Sequence, residues 1–98
     1  MADAQIERFL ELQAEAGRRR IEFIKTEAEM GITFADLGQT ELAMSNIPHA
    51  KRARVHAQSA YDVILRELPR AAGITDEERQ WFNLKLRELT RKIEGLPE

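Results

Sequence analysis

Apolar positions recur along the first half of the chain at alternating steps of four and three: Leu10, Ala14, Gly17, Ile21, Ile24, Ala28, Gly31, Ala35, Gly38 and Leu42. Such a seam, sustained without a slip, is one face of a helix. It predicts a single long helix over about 3–44, roughly 60 Å at 1.5 Å per residue. The seam passes through Gly31, where a mid-helix glycine costs about 1 kcal/mol relative to alanine, an amount that packing can offset. The alternative is a break there, with Thr33 capping a new helix and Asp36 three residues on. A second stripe lies about 100° round the helix: Phe9, Leu12, Ala16, Phe23, Met30, Phe34, Leu37 and Met44. Two stripes predict two neighbours. Arg20, Glu27 and Glu41 interrupt the second stripe and need partners or solvent.

A tight corner at Ser45-Asn46 follows, with Asn46 placed to cap a second helix and Pro48 tolerated in its first turn. Ala50, Ala53, Ala57, Ala60, Ile64 and Leu68 form the apolar face of that helix, over about 47–68, until Pro69 opens the loop PRAAGI. Thr75 with Glu78 reads as a capping box, and Asp76, Glu77 and Glu78 suit the positive end of a helix dipole. The third helix, about 76–94, presents Phe82, Leu86, Leu89 and Ile93 on one face and stops at Gly95 and Pro97. The expectation is an all-α, three-helix bundle with a long first helix, in one domain over residues 1–98.

The lengths do not match. Helices two and three are each about half as long as helix one, and the tight corner sets both against its C-terminal half. Residues 3–20 are then uncovered, with Ile6, Phe9, Leu10 and Leu12 facing water, a liability unless something binds them. The cheapest partner is a second copy in a two-fold contact, so a homodimer through the N-terminal half is expected.

Composition narrows the chemistry. Cysteine is absent, which excludes disulfides, zinc-thiolate sites and thiol catalysis. MADAQIERFLELQ carries charges where a secretory signal needs an apolar core, and no apolar run approaches the roughly 20 residues that span a bilayer; a cytoplasmic location is the default expectation. The formal charge of −2 is unevenly spread: −4 over residues 1–46, +3 over 47–72 and −1 over 73–98. A basic middle helix between acidic neighbours reads first as self-neutralisation within the fold.

No constellation points to catalysis, a cofactor or a metal. His49 and His56 share roughly one face of helix two but lack the HxxxH or ExxH spacing of a metal site. Glu7, Glu11, Glu15 and Glu22 form a solvated polar face. Arg18, Arg19 and Arg20 are consecutive and so point three ways, and Lys51, Arg52 and Arg54 lack the interleaved aromatics of a nucleic-acid interface. Trp81 and Leu84 fall off the face that Phe82 and Leu86 define. Trp81 either caps the bundle edge or, with Leu84, offers a contact to a protein partner, where tryptophan is often a hot spot.

Residues 31–64 resemble one tetratricopeptide-type helical hairpin. Counting from Gly31, Phe34, Leu37, Gly38, Ile47, Ala50 and Ala57 fall where that family places its large aromatic, its Leu-Gly pair, its turn apolar residue and its two small alanines. The chain departs from the pattern at Ser45, Glu41, Arg54 and Asp62. A single unit does not imply the concave peptide groove of repeat arrays. If the hairpin aligns this way, Glu41 and Arg54 are expected to pair across it. The sequence therefore reads as a non-catalytic protein-interaction or self-association module, its interaction residues Ile6, Phe9, Leu10, Leu12, Trp81 and Leu84. The rival readings are a small nucleic-acid-associated regulator using helix two and a metal-binding helical protein.

Overall fold

The computed structural model describes residues 2–98. Helix α1 runs unbroken over Ala2–Ala43, α2 over Ile47–Glu67 and α3 over Asp76–Glu94, with a single 3-10 turn at Leu68–Arg70 between the last two. The helix does not break at Gly31. Ile21, Ile24, Ala28, Gly31, Ala35 and Gly38 are all buried along it, so the alternating seam is the packed face of α1. The molecule measures 66 × 22 × 16 Å, and its long dimension is α1 itself, about 63 Å at 1.5 Å per residue.

Small residues set how close α2 lies. A Cβ added at Gly31 would stand 3.0 Å from both the Ala60 Cβ and a Leu89 methyl, and one at Gly38 would stand 3.2 Å from the Ala53 Cβ and 2.9 Å from both Leu96 methyls. Glycine is required at these two positions because neighbouring helices already occupy the space of a side chain. Ala50, Ala53, Ala57, Ala60 and Ile64 supply the facing surface of α2. Phe82, Leu89, Ile93 and Leu96 close the core from the α3 side. Leu96 lies beyond the end of α3, and its burial was not part of the expected face.

The corner between α1 and α2 is three residues, Met44, Ser45 and Asn46. Ser45 adopts φ 62°, the left-handed conformation that ends a helix, and its amide and that of Asn46 donate to the carbonyls of Leu42 and Glu41. Asn46 occupies the N-cap position of α2 without a side-chain cap bond. The Thr75 capping box forms in full: the Glu78 amide donates to Thr75 Oγ1 at 3.1 Å and the Thr75 amide to Glu78 Oε1 at 3.1 Å.

Two expectations are corrected here. The second stripe of α1 meets a neighbour only at Phe34, which is partly buried and stacks on His56 of α2, while Phe23, Met30, Leu37 and Met44 are 50%, 45%, 49% and 71% exposed. Polar pairings hold α3 on the other flank of α1, where Lys92 meets Asp36 and Gln39 donates to the Lys92 carbonyl. Glu41 and Arg54 do not pair. Arg54 points to the chain's C-terminus, donating to the Ile93 carbonyl at 2.7 Å and the Leu96 carbonyl at 2.6 Å, while Glu41 lies 3.8 Å from His49. The two side chains leave their helices on opposite sides of the hairpin.

Candidate functional site

The bundle ends before α1 does. Ile21 is the first fully buried residue of α1 and Gly17 is half-buried, with the Ala72 carbonyl 2.9 Å from where its Cβ would be. Residues 2–16 are exposed at every position, an arm of about 22 Å. On it Ile6, Phe9, Leu10 and Leu12 are 56%, 58%, 55% and 47% exposed. These four expected residues come together on one free stretch of helix. Trp81 and Leu84 do not join them. Trp81 stands with Lys25 and Glu29, thirteen residues or more along α1 from Leu12, which is about 20 Å.

A charged clamp holds the arm's root. Arg18 donates to both oxygens of Glu78, at 2.8 and 2.7 Å, and Lys25 reaches the same carboxylate at 2.9 Å. The Thr75 hydroxyl and amide also donate to Glu78. Glu78 is buried, and the guanidinium of Arg18, then Lys25, then Thr75 hold its carboxyl well below the usual carboxylate range. The same hydrogen bonds raise Arg18 and Lys25 above their ordinary values. Arg18, Arg19 and Arg20 do point three ways: Arg18 into this clamp, Arg19 toward Glu15 at 4.0 Å, and Arg20 to the Arg70 carbonyl at 3.1 Å. The capping box was legible in the sequence. The two cations that complete the clamp come from α1, and no local spacing announces them.

The remaining candidates are surface features. Trp81 is half-buried on the core, its ring edge-on to Phe82 at 5.1 Å with the Lys85 ammonium 5.5 Å from its centre. The recess beside it, about 330 Å³, is lined by Lys25, Glu29, Glu77 and Glu78. Leu84 is 63% exposed. His56 stacks on Phe34 at 4.9 Å, and this pair with Leu37, Glu41, His49 and Arg52 borders a second shallow recess of about 290 Å³. Among the described residues no group of three His, Cys, Asp or Glu stands close enough to hold a metal ion, and no helix is long and apolar enough to cross a membrane.

Sequence reasoning missed one part of this surface. Phe9, Ala16, Phe23, Met30, Leu37 and Met44 recur at an interval of seven, a strict repeat that runs from the arm onto the body. All six are exposed. The signal was present in the sequence, but it was read only as a second face in need of a neighbour. No family model, no curated protein and no solved structure matches this chain.

Proposed function

We propose that this chain is a non-catalytic self-association module whose assembly surface is the uncovered N-terminal half of α1. The observation that carries the reading is the continuation of the seam: Leu10, Ala14 and Gly17 extend the face that is fully buried from Ile21 onward, yet nothing among the described residues covers it before Gly17. Covering Ile6, Phe9, Leu10 and Leu12, each already about half-buried, is worth roughly 1 kcal/mol apiece, or about 4 kcal/mol per chain. A two-fold contact counts that gain twice. Within the body, we read residues 31–64 as a single tetratricopeptide-like hairpin, supported by the close approach of Gly38 to Ala53 and by buried Ala50 and Ala57. The nucleic-acid reading of α2 loses Arg54, which is committed to the carbonyls of Ile93 and Leu96.

Light scattering on the full chain tests this, alongside a variant with Ile6, Phe9 and Leu10 changed to Ser. A dimeric chain and a monomeric, equally helical variant are expected. A monomer for the unaltered chain at high micromolar concentration defeats the proposal.

A further inference from the structure

The seven-residue stripe on α1 specifies what the arm docks onto. We infer that two copies pack α1 against α1 antiparallel along their whole length, so that the arm of each lies on the exposed stripe of the other's body. This rests on the self-association reading above and fixes its partner surface and register.

The stripe runs the length of the helix and is apolar at every position from Phe9 to Met44. Its acids are elsewhere: Glu7 and Glu11, two residues either side of Phe9, point about 160° away from it. Covering the stripe therefore buries no charge from the arm. The arm alone offers Phe9, Leu12 and Ala16, and a contact restricted to two arms leaves Phe23, Met30, Leu37 and Met44 in water. Antiparallel alignment over the whole helix, Ala2 beside the partner's Met44, covers both regions by one two-fold axis. Phe9 then faces the partner's Leu37, Ala16 faces the partner's Met30, and Phe23 meets the partner's Phe23 at the axis. The small side chain of Ala16 sits opposite a long, flexible one.

Charge selects the same register. Arg20 and Glu27 occupy the same heptad position on one flank of the stripe, and in antiparallel helices such positions face each other. With Phe23 on the axis, Arg20, which gives only Nη1 to the Arg70 carbonyl, lies opposite the partner's Glu27 with its other donors, and symmetry repeats the pair. These are two of the three charges that interrupt the apolar pattern. A parallel pair carries the two positions to opposite sides of the interface, so Arg20 and the partner's Glu27 do not meet. The size is sufficient as well. Phe9, Leu12, Phe23, Met30, Leu37 and Met44, at about 100 Å² each, bring roughly 600 Å² of apolar surface per chain, or about 1,200 Å² for the pair, the lower bound of specific interfaces. The lengths agree too: α2 has 21 residues and α1 has 42, so the body of one copy is as long as the arm-bearing half of the other.

The chain has no cysteine, so a single spin label can be placed at Glu7→Cys, on the solvent side of the arm, and the label-to-label distance measured by pulsed electron resonance. Whole-helix antiparallel packing separates the two labels by 32 residues along the axis, about 50 Å at 1.5 Å per residue. Arm-on-arm or parallel packing brings them to about 25 Å or less. A distance near 50 Å supports the register. A short one overturns it while leaving self-association standing, and the absence of any dimer distance, with a monomeric mass, overturns both. Charge exchange is the second measurement. Arg20→Glu and Glu27→Arg should each weaken dimerisation about fivefold, and the double exchange should restore it. A double variant as weak as the two singles combined removes the pairing and with it the register.

Discussion

Two halves of one helix carry the same pattern and meet opposite fates. From Ile21 to Gly38 the seam of α1 is sealed by α2 and α3, with Ile21 and Ile24 at 0% exposure, whereas at Leu10 it stands in water at 55% exposure. Nothing in the local pattern separates them. The difference is cover: the corner at Ser45 turns the chain back at one end of α1, and neither α2 nor α3 is long enough to reach the other end. Amphipathicity says which face a helix wants buried; the length of its neighbours says where that want is met.

The contrast is sharpest in a pair of truncations on the same seam. Ile24→Ala should cost about 2–5 kcal/mol, because it opens a cavity in a sealed core. Leu10→Ala should cost less than about 0.5 kcal/mol in the monomer and appear only as weakened assembly. Urea denaturation at low and high protein concentration separates the two. Comparable losses for both in the monomer would mean that the arm folds back on the body.

Cover also depends on how α3 is fastened at its far end. Arg54 ties α2 to the carbonyls of Ile93 and Leu96, and Leu96 in turn packs on Gly38. Arg54→Ala should cost about 1.5–3 kcal/mol through loss of charged hydrogen bonds to partly buried carbonyls. Arg54→Lys should recover only part, since both bonds leave one guanidinium nitrogen, Nη1, and a lysine ammonium sits one atom nearer the backbone. Thermal unfolding of the two variants checks this.

At the other end, the clamp on Glu78 makes the boundary between the halves acid-sensitive. The folded carboxyl titrates far below its unfolded value, which is about 4.3. Its stabilisation is therefore fully present above that value. It is lost as pH falls, because below about 4.3 the unfolded chain binds a proton that the folded chain still refuses. Stability followed by urea midpoint should hold through neutral and mildly acidic pH and then decline toward pH 2. The decline should be shallower in Glu78→Gln, which lacks the titrating group. An identical acid limb in both proteins would show that the clamp contributes nothing.

How much of this could be read in advance depended on range. The bounds of the three helices, the continuity through Gly31 and the bare arm were legible, because periodicity, a capping box and relative length are properties of neighbouring residues. The partners of Arg54 and Glu78 were not. Glu41 and Arg54 were expected to pair from their places in a repeat-like hairpin, but the last turn of α3 and Leu96 offered Arg54 bare carbonyls instead. Arg18 reaches Glu78 across 60 positions, a distance at which local spacing carries no information. Leu96 was overlooked because it follows Gly95, the residue that ends α3; the stop signal was correct, and the chain still returns a side chain to the core one residue later. The second stripe of α1 was recognised as apolar and in need of a neighbour, but a pattern states that a face is to be covered and not by which chain.

The three-residue corner at Ser45 also bears on the order in which the molecule assembles. Closing so short a connection costs little chain entropy, so α1 and α2 meet through contacts near in sequence once each has a few helical turns. The attachments of α3 to α1 join residues 53 to 60 apart and require a preformed surface. Folding should thus begin as a hairpin, with α3 docking last, and unfolding should reverse it. Release of α3 would bare Phe82 and Leu89 and free Arg18 in one event, making the third helix the latch of the structure and its slowest piece to set.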